Sequence, residues 1–385
     1  MTGNSPAPCI VGIGETEYTR WGGITDRSEL GLACQAIKAA CDDAGLDVRT
    51  LDGVVSFAED SSQPWFLQEA LGLPALRFPA MVWGGGGSGA YAALALADAA
   101  IRSGQAERVV VFRSLCQGQH QRFGQGYPLP HSQNFHHPFG MLSPVHALAP
   151  LAQRYKAEFG VPDEHFGAVS VAFRRHAARN PRAVFHDRPL TMEQYLAGRM
   201  IAEPLRLYDC CQENDGACAM VVTTRERARD LRQKPVELLA AGWGNDPGWG
   251  SGGLGSHAMP AADYGRGNGR ALAARLYGQA GLSAKDIDTA QFYDHFTPFV
   301  LQLLEIHGFC GTGEGGAYAA SGAICWPDGA LPLNTSGGHL SEAYIHGLNL
   351  ALEGVRQLRG TSTAQVADAS TCLVSCGVSG AIFAA

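Results

Sequence analysis

The sequence has no run of lysine or arginine, no C-x-x-C pair, no long apolar stretch, and only 17% charged residues. Each shortage removes a class of function. A nucleic-acid-binding face needs clustered basic residues, whereas the formal net charge here is −7 and the basic residues are scattered. A membrane-spanning helix needs about 18 consecutive apolar residues. The nearest candidate, Ala90–Ile101, is broken by Asp98. The opening segment Met1–Pro8 is short and polar and lacks the basic-then-apolar order of a secretion signal. The 11 cysteines are odd in number; Cys210 and Cys211 are adjacent, and Cys372 lies four residues before Cys376. Such scattered thiols suit a reducing cytoplasm, where they pack as small apolar groups rather than forming a disulfide framework. The expectation is a cytoplasmic protein that binds no nucleic acid and spans no membrane.

What is present is a large apolar complement, 46% of 385 residues, together with 49 glycines. That length exceeds what one core usually organises, so two core units are expected. The chain also repeats itself. A strand at Cys9–Ile13 precedes a helical pattern from about Arg27 to Ala44, whose apolar face reads Leu30, Ala33, Ile37, Ala40 and Cys41. Gly45 ends it, an acidic turn follows, and a strand begins at Val54. Ala44-Gly45-Leu46 with Leu51-Asp52 matches Ala280-Gly281-Leu282 with Ile287-Asp288 at a constant offset, placing Phe57 opposite Tyr293. Matching element order makes duplication the better reading than chance. Between the copies, apolar strands at Arg108–Phe112, Ala219–Thr223 and Val236–Ala240 alternate with helical stretches, which predicts α/β units with helices on both sheet faces. The halves divide as 1–235, with an inserted loop region at about 115–205, and 236–385.

Several motifs have a plain reading. The two G-x-G-x-x-G matches, Gly248–Gly253 and Gly311–Gly316, do not lie between a strand and a helix, so neither reads as a dinucleotide site. His120, His131, His136, His137 and His146 match no compact metal-ligand spacing, and loop histidines are mostly surface or interface residues. No metal is expected. Three segments are more specific. Val82-Trp83-Gly84-Gly85-Gly86-Gly87-Ser88-Gly89 runs into an Ala-rich helix; its free backbone N–H groups suit an anion or oxyanion, or it is a close-packing turn. Phe292-Tyr293-Asp294-His295-Phe296 ends a strand of the second copy, and Asn334-Thr335-Ser336-Gly337-Gly338-His339-Leu340-Ser341-Glu342-Ala343-Tyr344 leads into a helix ending near Gly360. A turn at Cys376-Gly377-Val378-Ser379-Gly380 closes the set.

On these segments the chain resembles the thiolase superfamily over nearly its whole length, in the branch of the sterol-carrier-protein thiolases and lipid-transfer proteins. Pro204–Cys211 followed by Asp215-Gly216-Ala217 resembles that branch's mid-chain signature. The resemblance implies a duplicated five-layer αβαβα fold, two five-stranded mixed sheets around a shared helical layer, and a homodimer. The departures carry the information. The family's nucleophilic Cys, in V-N-x-x-C-A-S-G, is replaced by Gly86, and the His of its G-H-P motif by Tyr344. The Asn or His before an acidic residue is Tyr293, before Asp294, and the C-x-G cysteine aligns with Val374, close to Cys376.

Without a thiolate at Gly86 there is no acyl-enzyme, which excludes the thiolase reaction proper. An oxyanion hole survives, because backbone N–H groups at Gly86 and Gly377 can serve a thioester oxygen. Two tyrosines supply hydroxyls that both donate and accept. Retro-aldol cleavage of a β-hydroxyacyl-CoA needs two proton transfers and an oxyanion hole, and no covalent nucleophile or cofactor beyond the CoA of the substrate. The resemblance implies cleavage of a 17-hydroxy steroid C22-CoA to a 17-ketosteroid and propionyl-CoA, with a small OB-fold, zinc-ribbon partner protein. Tyr344, Tyr293 and Asp294 are the candidate catalytic residues. The rivals are an acyltransferase or condensing enzyme using Cys376, and a non-catalytic subunit that binds acyl-CoA or lipid.

Overall fold

The structure is a computed structural model and describes residues 7–57, 60–82, 88–120, 137–248 and 266–385. Near-continuous apolar runs give strands buried on both faces. They form β1 (Pro8–Glu15), a short β2 (Thr19–Arg20), β3 (Gly53–Phe57), β4 (Phe78–Val82) and β5 (Arg108–Cys116). A small ribbon, β6 (Met200–Ala202) and β7 (Leu205–Arg206), precedes β8 (Asn214–Thr224), β9 (Val236–Trp243), β10 (Thr289–Phe292), β11 (Thr371–Ser375) and β12 (Ser379–Ala384).

The pairing pattern repeats. In the first half the order is β4-β3-β5-β8-β1, with β3 parallel to β4 and β5 and the remaining pairs antiparallel. In the second half it is β10-β11-β12-β9, with β10 parallel to β11 and the remaining pairs antiparallel. The counterpart of β4 is a single parallel bridge, Ala290 to Leu333. It stops there because Pro332 has no N–H to give and Asn334 turns away with φ +44°. The expected pair of separate five-stranded sheets is therefore modified. Among the described residues the second half carries four strands and a bridge, and β1 joins β9 at Cys9–Glu237 and Ile10–Val236, making one continuous sheet path.

Helices complete the layers. Ser88–Arg102 lies between the halves, packing on β3, β4 and β5 on one side and on β9 and β12 on the other. Leu348–Arg359 shares that central layer, touching β10 and β11 as well as β1 and β8. The outer layers are Glu29–Ala44 against β1, β5 and β8, and Arg270–Ala280 against β9 and β12. The core of the first outer layer differs slightly from the sequence expectation. Leu32 and Ala36 are fully buried, whereas Leu30, in the first turn beside the Ser28 cap, is only partly covered.

Candidate active site

Two strand ends and one loop bring the chemistry together. Asn334 clasps the end of β10: its Oδ1 accepts from the Phe292 N–H (2.7 Å) and its Nδ2 donates to the Phe292 carbonyl (2.8 Å). The Tyr293 N–H then donates to the Ser375 carbonyl on β11 (2.9 Å), so the ring leaves the sheet in a fixed direction. The next residue, Asp294, accepts from the backbone N–H groups of His339 (2.8 Å) and Leu340 (3.1 Å). This ties the loop to the strand. Gly338 is required there, with φ +63°, because a Cβ would meet the Asp294 carboxylate at 2.2 Å. Further along, buried Glu342 accepts from Asn180 (2.9 Å), Ser336 (2.7 Å) and Asn349 (3.1 Å). Finally the Tyr344 N–H donates to the Asn214 side chain at the start of β8 (2.8 Å).

These anchors place the two phenols in contact. The Tyr293 and Tyr344 hydroxyl oxygens are 2.8 Å apart, with either able to donate, and both residues are buried, at 4% and 7% exposure. One small substrate can therefore touch both. Three imidazoles surround the pair. His339 lies edge-on to Tyr293 and to Tyr344, with centroids 4.6 and 5.0 Å away; His295 is 4.9 Å from Tyr293 and His346 is 4.8 Å from Tyr344. Burial pushes the His295 pKa down to about 4 and those of His339 and His346 well below the usual imidazole value. All three are neutral near pH 7. Burial raises the Tyr293 phenol well above its ordinary value, reinforced by Tyr344. Burial likewise raises Asp294 to about 7, against the pull of the backbone donors. The His339 Nδ1 stands 3.4 Å from the Asp294 carboxylate without a hydrogen bond, so the two are neighbours rather than an ion pair.

A 17-hydroxy-3-oxo-4-pregnene-20-carboxyl-CoA lyase of Mycobacterium tuberculosis is 43% identical over 376 residues, covering 96% of this chain and 95% of its own. The chain belongs to the family of the steroid side-chain-cleaving aldolases. A steroid side-chain-cleaving aldolase of Thermomonospora curvata is 40% identical over 383 residues, 96% of this chain and 95% of the relative. A solved structure described as an Ltp2-ChsH2(DUF35) aldolase superposes with a TM-score of 0.92 at 40% identity, covering 100% of this chain and 99% of that one. The thiolase C-terminal domain-like family model matches residues 256–384.

The thiolase nucleophile's position, Gly86, lies outside the described residues. No other thiol replaces it on electrostatic grounds. Burial raises all 11 cysteines above their ordinary value, and Cys376, which shares a hydrogen bond with the Ser379 hydroxyl (3.1 Å), is no exception. A thiolate needs cationic or polar surroundings that outweigh burial, and at each of these cysteines burial is the larger effect. Gly377 has φ +88° and sits against the Asn268 carbonyl, 2.5 Å from where a Cβ would stand. Its N–H donates to the Ser375 hydroxyl (3.0 Å), so a substrate oxygen must take over that bond. Of the loop histidines, His131 and His136 lie outside the described residues, whereas His120 contacts Glu29 at 3.3 Å.

The sequence motifs contain His295 and His339 without marking a role for them, and His346 lies outside those motifs. The available signal was the unusual density of histidine, three residues, within two steps of the two motif tyrosines or beside the Gly-Gly turn.

Proposed function

We propose that the protein cleaves a β-hydroxyacyl-CoA by a retro-aldol reaction. Its substrate is a 17-hydroxy steroid bearing a three-carbon CoA thioester, and the products are a 17-ketosteroid and propionyl-CoA. The observation that carries this reading is the 2.8 Å hydrogen bond between the Tyr293 and Tyr344 hydroxyls in a buried, thiolate-free site. Relatives named for lyase and side-chain-cleaving aldolase activity span nearly the whole chain, which supports the substrate class.

The chemistry follows from two neutral hydroxyls in contact. One phenol accepts the β-hydroxyl proton as it passes its own proton to its neighbour, and the neighbour protonates the α-carbon. The bond between the α- and β-carbons breaks, the β-carbon becomes a ketone, and the proton lost from oxygen is the one gained by carbon. No free phenolate forms, which suits a site where burial disfavours one. Asp294 holds the loop that carries Tyr344 against the strand that carries Tyr293. No cofactor beyond the CoA of the substrate is needed.

A positioned proton donor or acceptor is worth about 10²–10⁴ in rate. Tyr293→Phe and Tyr344→Phe should each lower kcat at least about a hundredfold with little change in KM, because each removes one hydroxyl only. Near wild-type cleavage of a β-hydroxyacyl-CoA by both variants would rule out the two-tyrosine mechanism.

The working assembly is proposed as a homodimer of this chain with a small OB-fold, zinc-ribbon protein. Two observations support it: β4 closes the sheet with its outer edge unpaired among the described residues, and the structural relative is described as a two-component aldolase. Co-expression with such a partner should raise solubility and activity and give a mass of two copies of each chain. A fully active, monomeric chain purified alone would contradict it.

A further inference from the structure

We propose that His346 is a further catalytic group of this site, a neutral imidazole whose Nε2–H donates to the thioester carbonyl oxygen, with Arg113 and Asp60 as positioning residues that fix its tautomer. The inference rests on the retro-aldol reading and assigns a role that the tyrosine pair leaves open.

The geometry is a three-residue line running out of the first half. Asp60 is buried and accepts from the Ser62 N–H (2.8 Å), the Ser114 N–H (3.0 Å) and Arg113 Nη1 (2.7 Å). Arg113, on β5 and 3% exposed, lies with its guanidinium 4.5 Å above the centre of the Phe57 ring. Glu29 stands 3.6 Å from the same Nη1. The Arg113 Nε donates to His346 Nδ1 at 3.1 Å. A guanidinium does not give up its proton in a protein. The Nδ1 lone pair is therefore occupied, and the ring proton must sit on Nε2. Burial first, and then the Arg113 cation, hold His346 well below the usual imidazole pKa, so it stays uncharged.

His346 is 5% exposed, and its Nε2 makes no hydrogen bond to the described residues. The ring stands edge-on to Tyr344, at 4.8 Å and 88°, and against Phe57 at 5.1 Å. Its backbone has φ +47°, a left-handed conformation that is uncommon for a non-glycine residue and persists where the surroundings impose it. A strained backbone, a buried cation and a fixed tautomer thus converge on one unused N–H beside the proton-transferring phenols.

The reaction needs that donor. As the bond between the α- and β-carbons breaks, its electron pair passes into the thioester as an enolate, and negative charge grows on the carbonyl oxygen. It falls again when the α-carbon takes the relayed proton. A neutral imidazole can stabilise that oxygen by donating a hydrogen bond without transferring its proton. Removing one such donor typically costs about 10²–10³ in kcat.

The test uses the chain in its assembled form and a β-hydroxyacyl-CoA whose β-carbon is tertiary. His346→Ala should lose about a hundredfold in kcat with KM nearly unchanged. His346→Gln, whose amide N–H reaches a similar point, should recover to within about tenfold of wild type. Wild-type cleavage with a His346→Ala variant within threefold of it overturns this inference and leaves the cleavage reading intact. A wild type that binds the thioester and never cleaves it overturns both. Should the alanine variant unfold, ¹⁵N spectra of the wild-type imidazole carry the test. A bare Nδ1 and protonated Nε2 at pH 7 supports the inference; the opposite tautomer or an imidazolium overturns it.

Discussion

A phenol is a weak acid and, once buried, a weaker one, so a site built on tyrosine works only if the proton is handed on as it is received. The 2.8 Å separation of the Tyr293 and Tyr344 hydroxyls allows that, and it has a kinetic consequence. If the two act as one relay, removing either breaks it, and removing the second adds little. The double variant Tyr293→Phe with Tyr344→Phe should therefore turn over within about tenfold of the worse single variant. Independent roles would instead multiply the two losses to about 10⁴, and single-turnover cleavage rates separate these outcomes. The tyrosines were legible in the sequence because each sits at a fixed spacing from a glycine or aspartate landmark. The state of the imidazoles was not. Burial keeps His346 neutral and Arg113, 233 positions away along the chain, caps its Nδ1 and so fixes the tautomer, and no local pattern records such a contact. The engagement of the Gly377 N–H by the Ser375 hydroxyl is equally a matter of the folded turn.

Elements were easier to read than side-chain states, because helix stops and turns are local. The helix Glu29–Ala44, its Gly45 stop in the left-handed conformation, the turn Val48–Thr50 and β3 recur as Arg270–Ala280, Gly281, Ala284–Asp286 and β10. The joining of β1 to β9 leaves no local signature, since it depends on two residue pairs contributed by different halves. Glycine shows how much the surroundings decide within an element. Gly278 lies in the helix Arg270–Ala280 with nothing within 4 Å of its would-be Cβ, so Gly278→Ala should stabilise the protein by about 0.5–1 kcal/mol. Gly338 has the reverse setting: a positive φ, and Asp294 in the way. Gly338→Ala should destabilise by roughly 2–4 kcal/mol and release the loop that carries Tyr344, lowering kcat with it. Denaturant midpoints of the two variants check this, and equal midpoints would contradict it.

At the scale of the whole molecule, buried ionisable groups set how stability depends on pH. His176 and His307 lie in the second half's core, and burial lowers their pKa values to about 4 and about 3. His176 uses both nitrogens: Nδ1 faces the Asn334 carbonyl at 3.2 Å, and Nε2 accepts from the Trp326 N–H at 3.1 Å. Protonation would break the second bond. His307 stacks on Phe292 at 5.6 Å, and its Nε2 meets the Ser375 hydroxyl at 2.8 Å. A histidine whose folded pKa is depressed contributes stability that is present above about pH 6.5 and lost as pH falls towards the folded value. Each then costs about 1.4 kcal/mol per pH unit, because the unfolded chain binds a proton that the folded chain refuses. Asp294 opposes them: its folded pKa is raised to about 7, so its contribution is present below about pH 4 and lost as pH rises through 7. His295, His339 and His346, also held below the usual imidazole value by burial, act in the same sense as His176 and His307, so the histidines together drive a loss of stability between pH 6.5 and 4.5. Urea midpoints should fall across that window in the wild type. The fall should be shallower by about 1.4 kcal/mol per pH unit in His307→Gln, which keeps a polar side chain for Ser375 but binds no proton. In Asp294→Asn it should steepen, because the opposing group is gone. A wild type as stable at pH 4.5 as at pH 6.5, or a His307→Gln variant with an unchanged slope, would mean that these histidines are protonated within the fold, and that the core around Asn334 and Ser375 admits more water than its packing suggests.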